Sequence, residues 1–494
     1  MSVPHSSTLT DVLASADLGL VAPVAPAELV RAEVVPTNGA ALVATLPDAG
    51  EPTAPPLPDV VLVRGCPRSG TTMIAQWLNL SDRAAVMFEY SLGELVHDLE
   101  PIFAYSLAHR AERAKLTRGA VRSDESAYYN APKYTPVVRH PVKERLAEIV
   151  AGVVQSALRK RDVTLIGSKT PGPTALGDRA VLEPLFDTIK YVFVVRNPLR
   201  TINSILNRRN LARQGLDVWP FADVHAAIAE YRSSVSVLLS HCARYPDACF
   251  VVKYEDMVER FDETAAALGA FLGIEPSPQR LRELIVSRPA NTRDILEHDE
   301  RTAVMTAFGS AIAGWNRMEL CGADPDLGEK LSACASPIAV GQKYEFAANS
   351  GRPFLGLGWS VPEPAGVWTD DHRADLFFTT SYQGDVVAYL RASFFLPPGF
   401  ETLSLRIEGN GTEVFRGTCL AGGEGLVDAT DGTVHVFTGP GPRALVCGPI
   451  RFTGRGIQRL TLHIDDPRSP RQAGLTTDDR RLGVFLHSLV LAPA

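Results

Sequence analysis

The chain has few cysteines for its length and scatters them: seven in 494 residues, with no C-x-x-C pair. That pattern fits neither a thiolate zinc site nor a disulfide framework, and a reducing compartment is its simplest home. Long apolar runs are also missing, since no stretch approaches the ~18 residues needed to span a bilayer. The opening residues, Met1-Ser-Val-Pro-His-Ser-Ser-Thr8, lack the basic start and apolar core of a secretory leader. The expected location is therefore cytoplasmic, with access to the inner face of a membrane and no transmembrane segment. Excess positive charge is absent too. A net charge of −7 lacks the basic footprint of a nucleic-acid binder, so no nucleic acid is expected as a partner. Hydrophobic residues at 45% and charged residues at 21% are ordinary for a globular protein, and the length calls for two or three domains.

One missing lysine is more telling than any of these. Val60-Val-Leu-Val63 is a short β-branched run of the kind that a central parallel strand needs. Gly65-Cys-Pro-Arg-Ser-Gly70-Thr-Thr72 follows, and then the apolar helix start Met73-Ile-Ala-Gln-Trp-Leu78. Two glycines let successive N–H groups turn into one concavity, and the helix adds the positive end of its dipole. Such a nest suits phosphate or sulfate. The spacing matches the G-x-x-x-x-G-K-[ST] phosphate loop, except that Thr71 stands in the lysine position. The cation has moved into the loop as Arg68. Without the loop lysine and its magnesium logic, a phosphoryl-transfer machine is poorly served. Arg68 with the hydroxyls of Ser69, Thr71 and Thr72 can instead hold a 5′-phosphosulfate with no metal required.

Pro67-Arg-Ser-Gly-Thr-Thr72 after a hydrophobic strand resembles the 5′-phosphosulfate loop of sulfotransferases that use 3′-phosphoadenosine 5′-phosphosulfate (PAPS), in particular the bacterial and tyrosylprotein-type branch. A second apolar run, Lys190-Tyr-Val-Phe-Val-Val195, leads into Arg196-Asn-Pro-Leu-Arg-Thr-Ile-Asn-Ser204. Asn197 reads as an N-cap and Pro198 as the first helical residue. Arg196 then sits at the carboxyl end of a strand, with Ser204 about two helical turns on. The resemblance implies that Arg196 and Ser204 grip the 3′-phosphate of PAPS. Between the two motifs, Gly167-Ser-Lys169-Thr-Pro171 resembles the family's G-x-K-x-P segment, which implies that Lys169 neutralises charge near the transferring sulfonate. Val252-Lys-Tyr254-Glu-Asp resembles another family segment and implies a nucleotide contact for Tyr254.

Sulfonate transfer to a hydroxyl needs a base for the acceptor proton. Ala85-Val-Met-Phe-Glu89-Tyr resembles the family's second strand with its terminal acid, so Glu89 is the first choice, with Glu94 and His97 as substitutes. The R-K-G triplet that closes over the cofactor in cytosolic sulfotransferases is not reproduced by Ala311-Ile-Ala-Gly-Trp315-Asn-Arg317, leaving Arg317 or Arg301 as replacements.

The organisation expected is an Ala/Pro-rich arm over 1–58, an α/β P-loop-like parallel-sheet sulfotransferase domain over 59–325, a connector over 326–352 and a β-sandwich over 353–494. Strands are predicted at 374–378, 385–396, 402–408, 433–437, 459–464 and 482–491, between Gly, Pro and Asp turns. This last part resembles a β-module appended to bacterial enzymes that build surface polysaccharides. The resemblance implies a sugar or glycan acceptor and a polysaccharide-assembly enzyme as a partner. Trp359 and Trp368 offer rings for stacking on sugars. Two other function classes compete. A P-loop kinase or NTPase is opposed by Thr71 and the lack of an acidic magnesium strand; a non-catalytic carbohydrate-binding protein is opposed by the intact Arg68, Arg196 and Ser204.

Overall fold

Val60 and Leu62 point into one hydrophobic core and Val61 and Val63 into another, which is why the first strand is apolar at consecutive positions. A computed structural model of the chain describes residues 56–99, 140–172, 178–213, 223–275, 294–322, 324–348, 350–420, 426–428, 434–435 and 443–494. The expected arm falls outside these residues except at 56–58. Strands β1 (Asp59–Gly65), β2 (Ala84–Phe88), β3 (Leu165–Lys169), β4 (Ile189–Val195) and β5 (Cys249–Lys253) form a parallel sheet in the order β2-β3-β1-β4-β5. The short β6 (Cys321–Gly322) closes one edge in the antiparallel sense. The chain leaves β1 toward one edge and β4 toward the other. The two strands are neighbours, so their carboxyl ends flank the switch point where open α/β sheets bind ligands.

Helices cover both faces of this sheet. Helix α1 (Thr71–Leu78) buries Ile74, Ala75 and Leu78 against Val61 and Val63. On the opposite face lie α2 (His140–Ala157), α3 (Pro198–Arg213) and α4 (Val224–Arg244), which contribute Val150, Ile202, Ile205 and Leu238 to the core around Val60 and Leu62. Helix α5 (His298–Gly314) adds Val304 and Phe308 to the same core. The ammonium of Lys160 donates to the carbonyls of Asn79 (2.7 Å), Ser81 (2.6 Å) and Ala84, which fixes the far end of α1 at its negative pole.

The second half is an antiparallel sandwich, as its alternating strands predict. One sheet runs in the order β15 (Arg443–Thr453), β10 (Gln383–Phe394), β17 (Leu482–Pro493) and β7 (Lys343–Glu345), with β8 (Val367–Asp370) also paired to β17. The other contains β14 (Val434–His435), β13 (Leu426–Asp428), β12 (Thr412–Leu420), β11 (Thr402–Gly409), β16 (Ile457–Ile464) and β9 (Arg373–Thr379). Leu376, Leu405 and Leu462 from one sheet and Val386, Leu390 and Leu489 from the other share one core. Strands β8, β12, β13 and β15 were not predicted, and β7 lies within the segment expected as a connector. Trp359, a candidate for stacking on sugars, is 1% exposed, and its indole N–H donates to the Asp375 carbonyl at 2.8 Å. It is a core residue. Trp368 packs its ring on Phe485 (centroids 4.7 Å apart) and edge-on to Phe395.

A buried ionic cluster joins the sandwich to α4. Asp375, fully buried on β9, accepts from Arg244 Nε (3.0 Å), Ser240 Oγ (3.0 Å), Thr461 Oγ1 (2.8 Å) and Arg373 Nε (3.2 Å). Arg244 also donates to Asp371 (3.0 Å) and to the carbonyls of Leu357 (3.2 Å) and Arg373. With every polar atom engaged in this way, a buried charge is tolerated.

Candidate active site

The loop between β1 and α1 owes its shape to two glycines. Gly65 has φ +149°, and a Cβ there would lie 2.4 Å from the Val194 carbonyl of the neighbouring strand. Gly70, at the N-cap of α1, has φ +108°, and a Cβ would meet the Tyr254 ring at 2.3 Å. Between them Arg68 adopts φ +71°, a strained left-handed conformation for a non-glycine residue. No side chain caps α1, and in its first turn the N–H groups of Met73 (2.9 Å) and Ile74 (3.4 Å) donate to the Gly70 carbonyl, so a ligand in the loop would meet the still earlier N–H groups. Ser69 and Thr71 are buried there; Thr72 and Arg68 are exposed.

The β4 motif meets this loop directly. Arg68 Nε donates to Ser204 Oγ at 3.2 Å, and Arg196 Nη1 donates to the Arg68 carbonyl at 3.1 Å. The Arg196 guanidinium lies 4.4 Å from the centroid of the Tyr254 ring. Burial lowers the Arg196 pKa from its ordinary value while Tyr254 and Glu255 oppose the shift, and a guanidinium keeps its charge at neutral pH. Asn197 caps α3 as predicted, its Oδ1 accepting from the N–H groups of Leu199 (3.0 Å) and Arg200 (3.3 Å). Ser69 Oγ and Arg196 Nε are among the buried atoms that have no hydrogen-bond partner in the described residues. Both belong to a pocket that Gly65, Cys66 and Tyr231 also line. Unpaired buried donors beside a helix start are what an anion would satisfy.

A second pair stands at the ends of β2 and β3. Lys169, 1% exposed, forms an ion pair and hydrogen bond with the exposed Glu89 carboxylate. The Glu89 N–H donates to the Lys169 carbonyl at 2.8 Å, and its φ of +58° turns the chain sharply off the strand. The other two candidate bases are placed differently. Glu94 is committed to a local turn, accepting from the Ser91 N–H at 2.9 Å while its own N–H donates to Ser91 Oγ at 3.0 Å. His97 is exposed on the following helix. Of the candidate lid arginines, Arg301 is ion-paired with Asp294 and Arg317 is exposed.

Three supporting residues escape a reading of local motifs. Glu255, 6% exposed, accepts from the Asn197 N–H (3.1 Å) and the Trp315 indole (2.9 Å), which ties the start of α3 to a distant turn. The Tyr231 hydroxyl of α4 donates to the Arg196 carbonyl at 2.8 Å. Arg64 Nη1 donates to the Thr170 carbonyl at 3.1 Å and braces the turn after Lys169. Each partner is remote in sequence, and only an unusually polar residue within an apolar element marks them.

Residues 58–278 match the family model described as the sulfotransferase family. No curated protein matches the chain. Among solved structures, the sulfotransferase domain from the Synechococcus PCC 7002 olefin synthase is 19% identical, with 58% of this chain covering 92% of that one at a TM-score of 0.27. Sulfotransferase STF9 from Mycobacterium avium is 16% identical, with 54% of this chain covering 79% of that one at a TM-score of 0.30. The CBM36-1 domain of a multidomain xylanase from the hindgut metagenome of Trinervitermes trinervoides is 12% identical, with 31% of this chain covering 98% of that one at a TM-score of 0.19. No helix among the described residues is long and apolar enough to cross a membrane.

Proposed function

We propose that the chain transfers a sulfonate group from PAPS to a hydroxyl, most naturally that of a sugar or glycan. The observation that carries this reading is the joining of two anion-binding groups by hydrogen bonds: Arg68 to Ser204, and Arg196 to the Arg68 carbonyl. A donor with phosphate at both 3′ and 5′ needs two such groups at once. The donor fits the residues present, because Ser69 Oγ and Arg196 Nε are buried without partners at this place among the described residues. Arg68, Ser69, Gly70, Thr71 and Thr72 would hold the 5′-phosphosulfate, Arg196 and Ser204 the 3′-phosphate, and Tyr254 the nucleoside side of Arg196. The family match over 58–278 supports the same chemistry.

In this reading Glu89 takes the proton of the acceptor hydroxyl as its oxygen attacks sulfur. The bond from sulfur to the bridging oxygen breaks, and Lys169 offsets the charge left on the 5′-phosphate. The products are a sulfate ester and 3′,5′-adenosine bisphosphate, and Glu89 returns its proton to solvent. Phe88 and Tyr90, each 37% exposed, flank Glu89 and offer a ring-sized apolar surface beside it. Such a surface favours an acceptor with a flat apolar face, as a pyranose has.

Binding separates this reading from its competitors. Metal-free 3′,5′-adenosine bisphosphate should stabilise the protein more than adenosine 5′-phosphate or ATP with magnesium. Labelled PAPS should then pass its sulfonate to members of a glycan panel. Equal affinity for the bisphosphate and the monophosphate would overturn the proposal.

A further inference from the structure

Glu230 is a carboxylate in an unexpected place. It lies on α4, is 5% exposed, and faces the turn between Lys169 and residue 172. Its Oε1 lies 3.0 Å from where a Cβ on Gly172 would stand, and the Gly172 N–H donates to the Gly65 carbonyl at 2.8 Å. Its field also reaches Cys66 in the loop: burial raises that thiol's pKa, and the Glu230 charge raises it further. A negative charge is thus buried beside a loop built to attract anions.

Its charged partner is Arg352, at 3.5 Å, in a short 3-10 turn (Arg352–Phe354) that precedes β8. That turn lies beyond the matched residues 58–278. It is held against α4, since the Pro353 carbonyl accepts from Ser236 Oγ at 2.8 Å and from Ser336 Oγ at 3.1 Å. Burial raises the Glu230 carboxyl above its ordinary range and the Arg352 guanidinium opposes the rise.

We infer that Arg352 is a positioning residue for the anion loop: it neutralises Glu230, so the C-terminal segment sets the affinity of the Gly65–Thr72 loop for its ligand. This rests on the reading of that loop as the 5′-phosphosulfate site. Without Arg352, Glu230 in its ionised form would repel the bound anion across a low-dielectric interior, a penalty that grows as pH rises because burial favours the neutral acid.

The test uses the full chain and its Arg352→Gln, Glu230→Gln and doubly substituted variants, titrated with 3′,5′-adenosine bisphosphate and with pyrophosphate. Arg352→Gln should weaken both ligands about tenfold. Glu230→Gln alone should bind at least as tightly as the wild type, because it leaves Arg352 as an unopposed cation, and the double variant should recover wild-type affinity. Recovery on removing the opposing charge is a result that a merely structural role for Arg352 would not give. Arg352→Lys keeps the charge and should bind normally; it serves as the comparison if Arg352→Gln does not fold. Unchanged affinity in folded Arg352→Gln, or loss that Glu230→Gln fails to restore, overturns the inference. Wild-type binding of pyrophosphate without adenosine bisphosphate would sink the nucleotide reading while leaving this comparison of variants intact. Binding of neither anion would overturn both.

Discussion

The buried ammonium of Lys169 is paired with the carboxylate of Glu89, whose side chain is 65% exposed, across the ends of two adjacent strands. One partner is anchored in the protein and the other stands at the surface, where an acceptor would arrive. In the free protein each neutralises the other. An incoming anion would compete with Glu89 for Lys169 and release the carboxylate toward the acceptor.

Glu89→Gln should therefore lower turnover by ~10²–10⁴, the usual range for loss of a general base. Affinity for 3′,5′-adenosine bisphosphate should hold or rise, because Lys169 loses its competing partner. Steady-state rates together with a ligand titration check both halves. If Glu89→Gln kept wild-type turnover while Glu94→Gln lost it, the base would have to be reassigned.

Arg196→Ala should abolish most of the preference for adenosine bisphosphate over adenosine 5′-phosphate, a loss of ~1.5–3 kcal/mol for a charged hydrogen bond. Calorimetric titration of both nucleotides measures it. A preference left intact would remove Arg196 from the 3′-phosphate.

Gly70→Ala tests the loop geometry. The added methyl would collide with the Tyr254 ring and force a side chain into φ +108°. Strain of that kind costs ~1–3 kcal/mol, so the melting temperature and the anion affinity should fall together. Normal binding by Gly70→Ala would show that the loop need not keep this shape.

Asp375 should make the join between α4 and the sandwich sensitive to acid. Burial raises its pKa, but Arg244 and Arg373 more than reverse that, so its folded value lies below the ordinary aspartate range. A depressed folded pKa contributes stability above the unfolded value, and that contribution is lost as pH falls through the folded value. Arg244→Ala should cost ~3–5 kcal/mol, because the buried Asp375 would keep only the more exposed Arg373 to offset its charge. It should also flatten the acid limb of a stability-against-pH curve. A chain ending near residue 325 would likewise strip Ser236, Ser240 and Arg244 of their partners, and it is expected to aggregate. Denaturant unfolding at several pH values decides the point.

Much of the parallel-sheet half was legible because its elements are local. Val60 to Val63 and Tyr191 to Val195 announce buried strands, and Gly65, Gly70, Asn197 and Pro198 mark the turns that follow them. The pairing of Arg68 with Ser204 was not legible, since it depends on β1 and β4 being neighbours. In the sandwich, β15 was hidden by Gly448-Pro449, which reads as a turn but lies where the pairing with β10 slips between Val386 and Ala388. Strand β12 was hidden by polar residues and by Gly417. Glu230 and Arg352 are ordinary charges in sequence; only folding puts Glu230 behind the loop and Arg352 against Glu230.

The register of β1 on β4 sets Gly65 opposite Val194, so both candidate anion-binding turns spring from the same rung of one ladder. Their separation is thus graduated in strand residues, at roughly 3.3 Å for each position of slip. If the proposed donor binds there, the sheet would serve as a ruler for the distance between its two charges. Deleting one residue from β1 would turn its side chains to the wrong faces and also recalibrate that ruler. A molecule with its phosphates spaced differently would fail at one turn while fitting the other, however well each turn held an anion alone.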